Sequence, residues 1–139
     1  MRKPALLVTG ASGEVGYGLI ERFDSSSDLQ VVSLDLAGHG ASLSGAFSEL
    51  RRLAERLTIP VATSPKAKGA FPEDHLLSLG VYGFAGSPRA EAYLAGGEVD
   101  VLLTVGTSLG ETTTNAWDTR ILPKKALIQI DVDPAEIGK

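Results

Sequence analysis

Three glycines spaced three apart, Gly10, Gly13 and Gly16, stand between a short apolar run and a stretch of helical periodicity. No other feature constrains the chain as much. Ala5 to Thr9 is continuous and apolar, as a parallel strand buried on both faces must be. From Gly13 to about Phe23, Val15, Leu19, Ile20 and Phe23 fall along one helical face. Glycines at such a junction let the chain turn tightly out of the strand, let an anion approach the backbone, and let the helix pack closely on the sheet. The helix start offers free N–H groups and a partial positive charge to that anion. A strand, turn and helix joined in this way belong in an α/β sheet.

The rest of the chain repeats the alternation. Leu29 to Leu36 reads as a second strand, with Asp35 at its carboxyl end, and a polar break at Asp24 to Asp28 precedes it. Phe47, Leu50, Leu53, Ala54 and Leu57 recur at helical spacing, with Glu49, Arg51, Arg52, Glu55 and Arg56 on the other side. Ile59 to Thr63 makes a third strand. Ser64 to Gly86 is rich in proline and glycine and has no sustained period, so it reads as a long loop with at most short turns. Ser87-Pro88 has the form of an N-cap followed by proline at the first helical position, and Gly96-Gly97 would end that helix. Val99 to Val105 and Ala126 to Val132 are the fourth and fifth strands, joined through Gly106 to Pro123 by a loop and a short helix.

Strands separated by helices imply parallel pairing with right-handed crossovers. The expected fold is α/β: one doubly wound, Rossmann-like three-layer sandwich over residues 1–139, with a parallel sheet of order 3-2-1-4-5. That order sets Gly10 and Gly106 side by side at the carboxyl ends of adjacent strands, where the winding reverses and open α/β sheets bind ligands. The chain's 139 residues, 43% hydrophobic and 22% charged, suit a single core.

Charge and residue usage exclude several partners. A net charge of -4 with scattered basic residues argues against nucleic acid, whose binding rests on clustered Lys and Arg. The absence of cysteine excludes disulfides and thiolate metal sites and fits a reducing, cytoplasmic setting. No run approaches the roughly 18 apolar residues that cross a bilayer, so a soluble protein without a membrane partner is expected. The apolar run after Arg2-Lys3 breaks at Gly10, too early for a signal peptide.

The candidate cofactor-binding residues are Gly10, Ser12, Gly13, Glu14, Val15 and Gly16 in the turn, Asp35, and Gly106 on the neighbouring strand end. Asp35 lies nineteen residues past Gly16, where its carboxylate would accept hydrogen bonds from an adenosine ribose and repel a 2′-phosphate. That favours NAD over NADP. Thr9 and Ser12 have no recognisable base beside them and fit phosphate contacts or turn chemistry. His39 and His75 are the only histidines, and His75, beside Glu73 and Asp74, has no second histidine at ligand spacing. It reads as a solvated loop residue, and no metal is expected. Lys66 and Lys68 read as solvated charges. Thr112 to Asn115 would either cap a helix or touch a nucleotide.

Two families are resembled. Leu7 to Gly16 together with Val31 to Asp35 resembles the amino terminus of extended short-chain dehydrogenases, the sugar-nucleotide epimerase and dehydratase group. This resemblance implies NAD on Gly10, Gly13 and Gly16, Asp35 on the ribose, and a catalytic Tyr and Lys four residues apart. Here Tyr17, Tyr82 and Tyr93 are followed four places on by Glu21, Gly86 and Gly97, so the catalytic pair is missing.

Residues 37–139 resemble the central domain of thiamine diphosphate enzymes of the acetolactate synthase type. The similarity runs through Gly38 to Ser42, Leu53 to Thr63, Lys68 to His75, and Ile130 to Gly138. It implies a Rossmann-like domain that holds FAD or an adenine nucleotide in some relatives and is structural in others. In that family thiamine diphosphate sits between two other domains, whose motifs this sequence lacks, so no thiamine diphosphate is expected.

The two resemblances abut near Leu36-Ala37-Gly38, as in an engineered chimera. The function expected is therefore that of a noncatalytic chimeric domain, not an enzyme, retaining weak NAD or adenine-dinucleotide binding at the glycine turn. The alternative is a structural scaffold without ligand; an NAD-dependent oxidoreductase or epimerase ranks below both. An apolar edge at 126–132 would favour a homodimer or domain swap.

Overall fold

The computed structural model describes residues 47–131 and 133–138. The expected strands at Ala5 to Thr9 and Leu29 to Leu36, the helix between them, and residues 10–16 and 35 of the candidate site lie outside the described residues.

Helix α1 (Phe47–Leu57) follows its sequence period: Leu50, Leu53 and Ala54 are buried, and Leu57 packs against the same core. Glu49 in its first turn and Arg56 in its last complement the helix dipole. Its end is a Schellman turn, with Ile59 N–H bonded to Ala54 O at 2.9 Å and Thr58 N–H to Glu55 O at 3.3 Å. Thr58 occupies the left-handed position (φ 54°) that glycine usually fills.

Strand β1 (Val61–Thr63) is fully buried and shorter than expected, because Pro60 has no N–H to give a ladder. Its parallel neighbour is β2 (Ser78–Val81), inside the stretch read from sequence as loop. That reading is corrected for residues 78–81. The strand is four residues long, a bulge interrupts its pairing, and Gly80 sits at φ 82°, so no period of two can show in the sequence. The same glycine has Ser87 so close that a Cβ would stand 3.0 Å from its Oγ.

Helix α2 (Pro88–Leu94) begins as the sequence indicates. Ser87 Oγ accepts from Ala90 N–H at 3.1 Å and donates to Leu79 O at 2.7 Å, tying the helix start to β2. Ala90 and Leu94 are buried. Strand β3 (Val101–Val105) pairs in parallel with β4 (Ala126–Ile130), in register from Val101 opposite Ala126 to Val105 opposite Ile130. This is the expected adjacency of the fourth and fifth strands. At its start the buried Asp100 receives Lys125 Nζ at 2.8 Å, while its carbonyl accepts from Lys125 N–H, also at 2.8 Å. The crossover from β3 to β4 contains a turn over 111–117 and a single 3-10 turn, Thr119–Ile121, whose Ile121 is buried.

One apolar cluster takes residues from every one of these elements except β4, and Ile128 and Ile130 of β4 pack against it. Parallel strand pairs with intervening helices make this an α/β, Rossmann-like fold. Among the described residues no helix is long and apolar enough to cross a membrane.

Candidate functional site

In a parallel sheet the loops that leave the strands gather at one edge, and ligands bind there. The exit loops of β2 and β3 meet directly, with Phe84 N–H bonded to Thr112 O at 2.8 Å. Gly83 (φ 103°) makes this approach feasible, since a Cβ there would lie 2.3 Å from Thr112 O and 2.7 Å from Thr113 O. Only a glycine fits.

Beside that junction is a cavity of about 210 Å³ bordered by Tyr82, Gly83, Gly86, Ser87, Glu91 and Asn115. Tyr82 is buried, and its hydroxyl is the one buried side-chain polar atom among the described residues without a hydrogen-bond partner. Burial, reinforced by the Asp118 carboxylate, pushes its pKa up to about 12. Arg120 grips Asp118 through Nε (2.9 and 3.0 Å) and Nη2 (2.6 Å), and that grip holds the Asp118 carboxyl below its usual range. The same guanidinium reaches Glu91 at 3.4 Å. Asn115, Ala116 and Trp117 follow one another in the left-handed region, with φ of 54, 62 and 56°. Each non-glycine residue there costs about 1–2 kcal/mol. Bonds from Ala116 N–H to Glu111 O (2.8 Å), Trp117 N–H to Thr114 Oγ1 (2.9 Å) and Asp118 N–H to Thr114 O (2.9 Å) offset that cost. Phe84 and Trp117, on the two loops, are both largely exposed.

Gly106 is the one candidate cofactor residue that falls in the described region. It is buried at φ 70°, at the carboxyl end of β3, and its N–H is bonded to Ile130 O at 3.2 Å. Its amide therefore extends the β3–β4 ladder, and a ligand would meet its Cα or carbonyl. Gly10, Ser12, Gly13, Glu14, Val15, Gly16 and Asp35 lie outside the described residues. Thr114, left open from sequence between cap and ligand contact, closes the 111–117 turn.

His75 is not the solvated loop residue expected. Its side chain is 17% exposed, Nδ1 accepts from Leu77 N–H at 3.1 Å, and Nε2 lies 3.1 Å from Glu55 Oε1. With Nδ1 accepting, Nε2 carries the proton and donates to Glu55. The ring also stands edge-on to Phe71, with centroids 5.1 Å apart, so His75 pins the loop to α1. Lys68 is solvent-exposed as expected, and it pairs with the also exposed Glu73 at 2.7 Å. No group of three or more His, Asp or Glu that could hold a metal occurs among the described residues. Gln129 escaped notice in the sequence although it is the one polar residue inside Ala126–Ile130, and its amide reaches both neighbouring exit loops.

Residues 34–139 match the family described as thiamine pyrophosphate enzyme, central domain. The chain belongs to that family. It is 48% identical over 105 residues to a probable acetolactate synthase large subunit of Methanocaldococcus jannaschii, a match over 75% of this chain and 17% of that protein. To an acetolactate synthase of Arthrospira platensis it is 36% identical, over 94% of this chain and 24% of that one. Among solved structures, a putative thiamin diphosphate-dependent enzyme from Mycobacterium smegmatis superposes with a TM-score of 0.57 at 23% identity, over 93% of this chain and 24% of that one. The chain thus spans under a quarter of the length of these relatives.

These findings overturn the functional expectation. A match to one acetolactate synthase across 94% of the chain takes in most of residues 1–36, and leaves no segment that needs a dehydrogenase origin. A glycine turn after a first strand is common to Rossmann-like folds, which is why the opening residues resembled a dehydrogenase. The noncatalytic chimera is therefore withdrawn, and so is the classification as a non-enzyme: the relatives are thiamine diphosphate enzymes. The cofactor expectation falls with them. The cofactor in the matched family's description is thiamine pyrophosphate, not NAD.

Proposed function

We propose that this chain is central-domain sequence of a thiamine diphosphate-dependent acetolactate synthase large subunit. The observation that carries the reading is the 48% identity over 105 residues to the Methanocaldococcus jannaschii protein. The described residues bring no metal-holding cluster together, so no step of thiamine chemistry is assigned to them. Their part is to hold the domain's shape and to present the exit loops of β2, β3 and β4. The FAD or adenine nucleotide that the resemblance implies would meet those loops, because ligands of open α/β sheets bind at the carboxyl ends of the strands.

A hybrid enzyme tests the reading. Residues 34–139 would replace the matching segment of the Methanocaldococcus jannaschii large subunit, and acetolactate formation from pyruvate would be assayed with thiamine diphosphate and Mg²⁺. Turnover within about tenfold of the parent is expected, equivalent to a barrier change under about 1.4 kcal/mol. A hybrid that folds and binds thiamine diphosphate yet forms no acetolactate would overturn it.

A further inference from the structure

We propose that Gln129 is a positioning residue that locks the loops leaving β3 and β4 into one rigid ligand-facing edge. The proposal rests on the reading of the strand ends given above. Gln129 stands opposite Thr104 in the β3–β4 register and is half-buried. Its Nε2 donates to Thr107 O at 3.1 Å and to Glu136 O at 2.9 Å, while its Oε1 accepts from Gly138 N–H at 2.9 Å. Three partners fix the amide in one orientation, since a flip would set donor against donor and acceptor against acceptor. These bonds span 22, 7 and 9 residues of sequence.

Two bonds of the β4 exit loop are local by comparison. Asp131 Oδ1 accepts from Asp133 N–H and Asp133 Oδ1 from Ala135 N–H, both at 2.9 Å, and each closes only two residues of turn. Thr107 is fully buried, and its Oγ1 accepts from Leu109 N–H at 3.0 Å. A pull on Thr107 O is therefore transmitted to Leu109. With Gly106 N–H on Ile130 O, the exit of β3 is tied to β4 at two consecutive residues, once by backbone and once by the Gln129 side chain. A ligand that grips either loop then meets both, already ordered, and avoids the entropy of arranging them.

Nuclear magnetic resonance on the full chain tests the clasp without any ligand, so its outcome is separate from that of the acetolactate assay. The sequence contains two glutamines, Gln30 and Gln129, and one asparagine, Asn115, so only three side-chain carboxamides appear in a nitrogen-proton spectrum. The pair lost in Gln129→Leu belongs to Gln129. In the unsubstituted chain that pair should exchange with solvent at least about tenfold more slowly than the exposed Asn115 pair, as an amide with three protein partners should. In Gln129→Leu the Gly138 and Leu109 amides should both exchange at least about tenfold faster, with Leu102 to Thr104 unchanged. Gln129→Glu supplies a pH profile. At neutral pH its carboxylate still accepts from Gly138 but opposes the Thr107 and Glu136 carbonyls, so Leu109 opens while Gly138 stays protected. Protonation of the carboxyl restores a donor and with it the Leu109 protection, after correction for intrinsic exchange. Equal exchange of the Gln129 and Asn115 carboxamides in the unsubstituted chain, assigned by through-bond correlation to their own backbone amides, would overturn the proposal even if neither variant folds. Unchanged Leu109 protection in both variants would do the same.

Discussion

At the scale of single residues, Tyr82 is the clearest departure from what a buried position requires. A buried hydroxyl without a partner forfeits its hydrogen bonds to water, and nothing among the described residues returns them. Tyr82→Phe keeps the ring in the core and removes that loss, so it should raise unfolding free energy by about 1 kcal/mol in denaturant titrations at neutral pH. The substitution also has a pH signature. A tyrosine whose folded pKa lies above its unfolded value near 10 contributes stability that is intact below pH 10 and is lost as pH rises toward about 12. Tyr82→Phe should shrink this alkaline loss. Tyr93, whose pKa burial also raises, keeps part of it. A variant less stable than the parent at pH 7 would mean that the hydroxyl is satisfied in solution.

Helix α1 and strand β2 show how differently elements declare themselves. The apolar positions of α1 repeat every three or four residues over 11 residues, and the structure buries that face. What the pattern does not reveal is the stop: Thr58 takes φ 54°, against the preference of a β-branched side chain, because Ile59 must turn into the core, where it is fully buried. Thr58→Gly removes that backbone strain while leaving the Schellman bonds in place. It should raise stability by about 1 kcal/mol, seen as a higher midpoint with an unchanged denaturant slope. A fall in midpoint would show that the strain is offset elsewhere. Strand β2 is the opposite case. Four residues and a left-handed glycine carry no periodic signal, and the strand exists because β1 lies beside it and Ser87 clamps Leu79 O.

For the whole molecule, the charged groups set a window of stability. Asp118 beside Arg120 and Glu55 beside Arg51 and His75 have carboxyl pKa values below their ordinary 3.8 and 4.5. Such groups contribute stability above the unfolded value and lose it as pH falls through the lower folded value. Unfolding free energy should therefore be level from about pH 5 to 9, falling in acid below about pH 4 and in alkali above pH 10. The acid limb should weaken in 1 M salt, because both carboxyl pairs are near the surface and screening is short-ranged there. An acid limb insensitive to salt would assign it to other groups.

Local composition was enough to place α1, the Ser87-Pro88 start of α2, and strands β3 and β4, because each is encoded by residues adjacent in sequence: a helical period, a cap, an apolar run. The motifs between Leu53 and Gly138 likewise pointed to the thiamine enzyme central domain, which the match over residues 34–139 establishes. The glycine turn misled, because the geometry it encodes is shared by folds of many functions. Strand β2, the His75–Glu55 contact and the Gln129 clasp needed the folded chain, since their partners lie up to 22 residues away and are chosen by packing, not by local preference. A polar residue in an apolar strand announces that something must satisfy it. Which loops do so is decided when β3 and β4 pair in register and bring Thr107, Glu136 and Gly138 within reach of one amide.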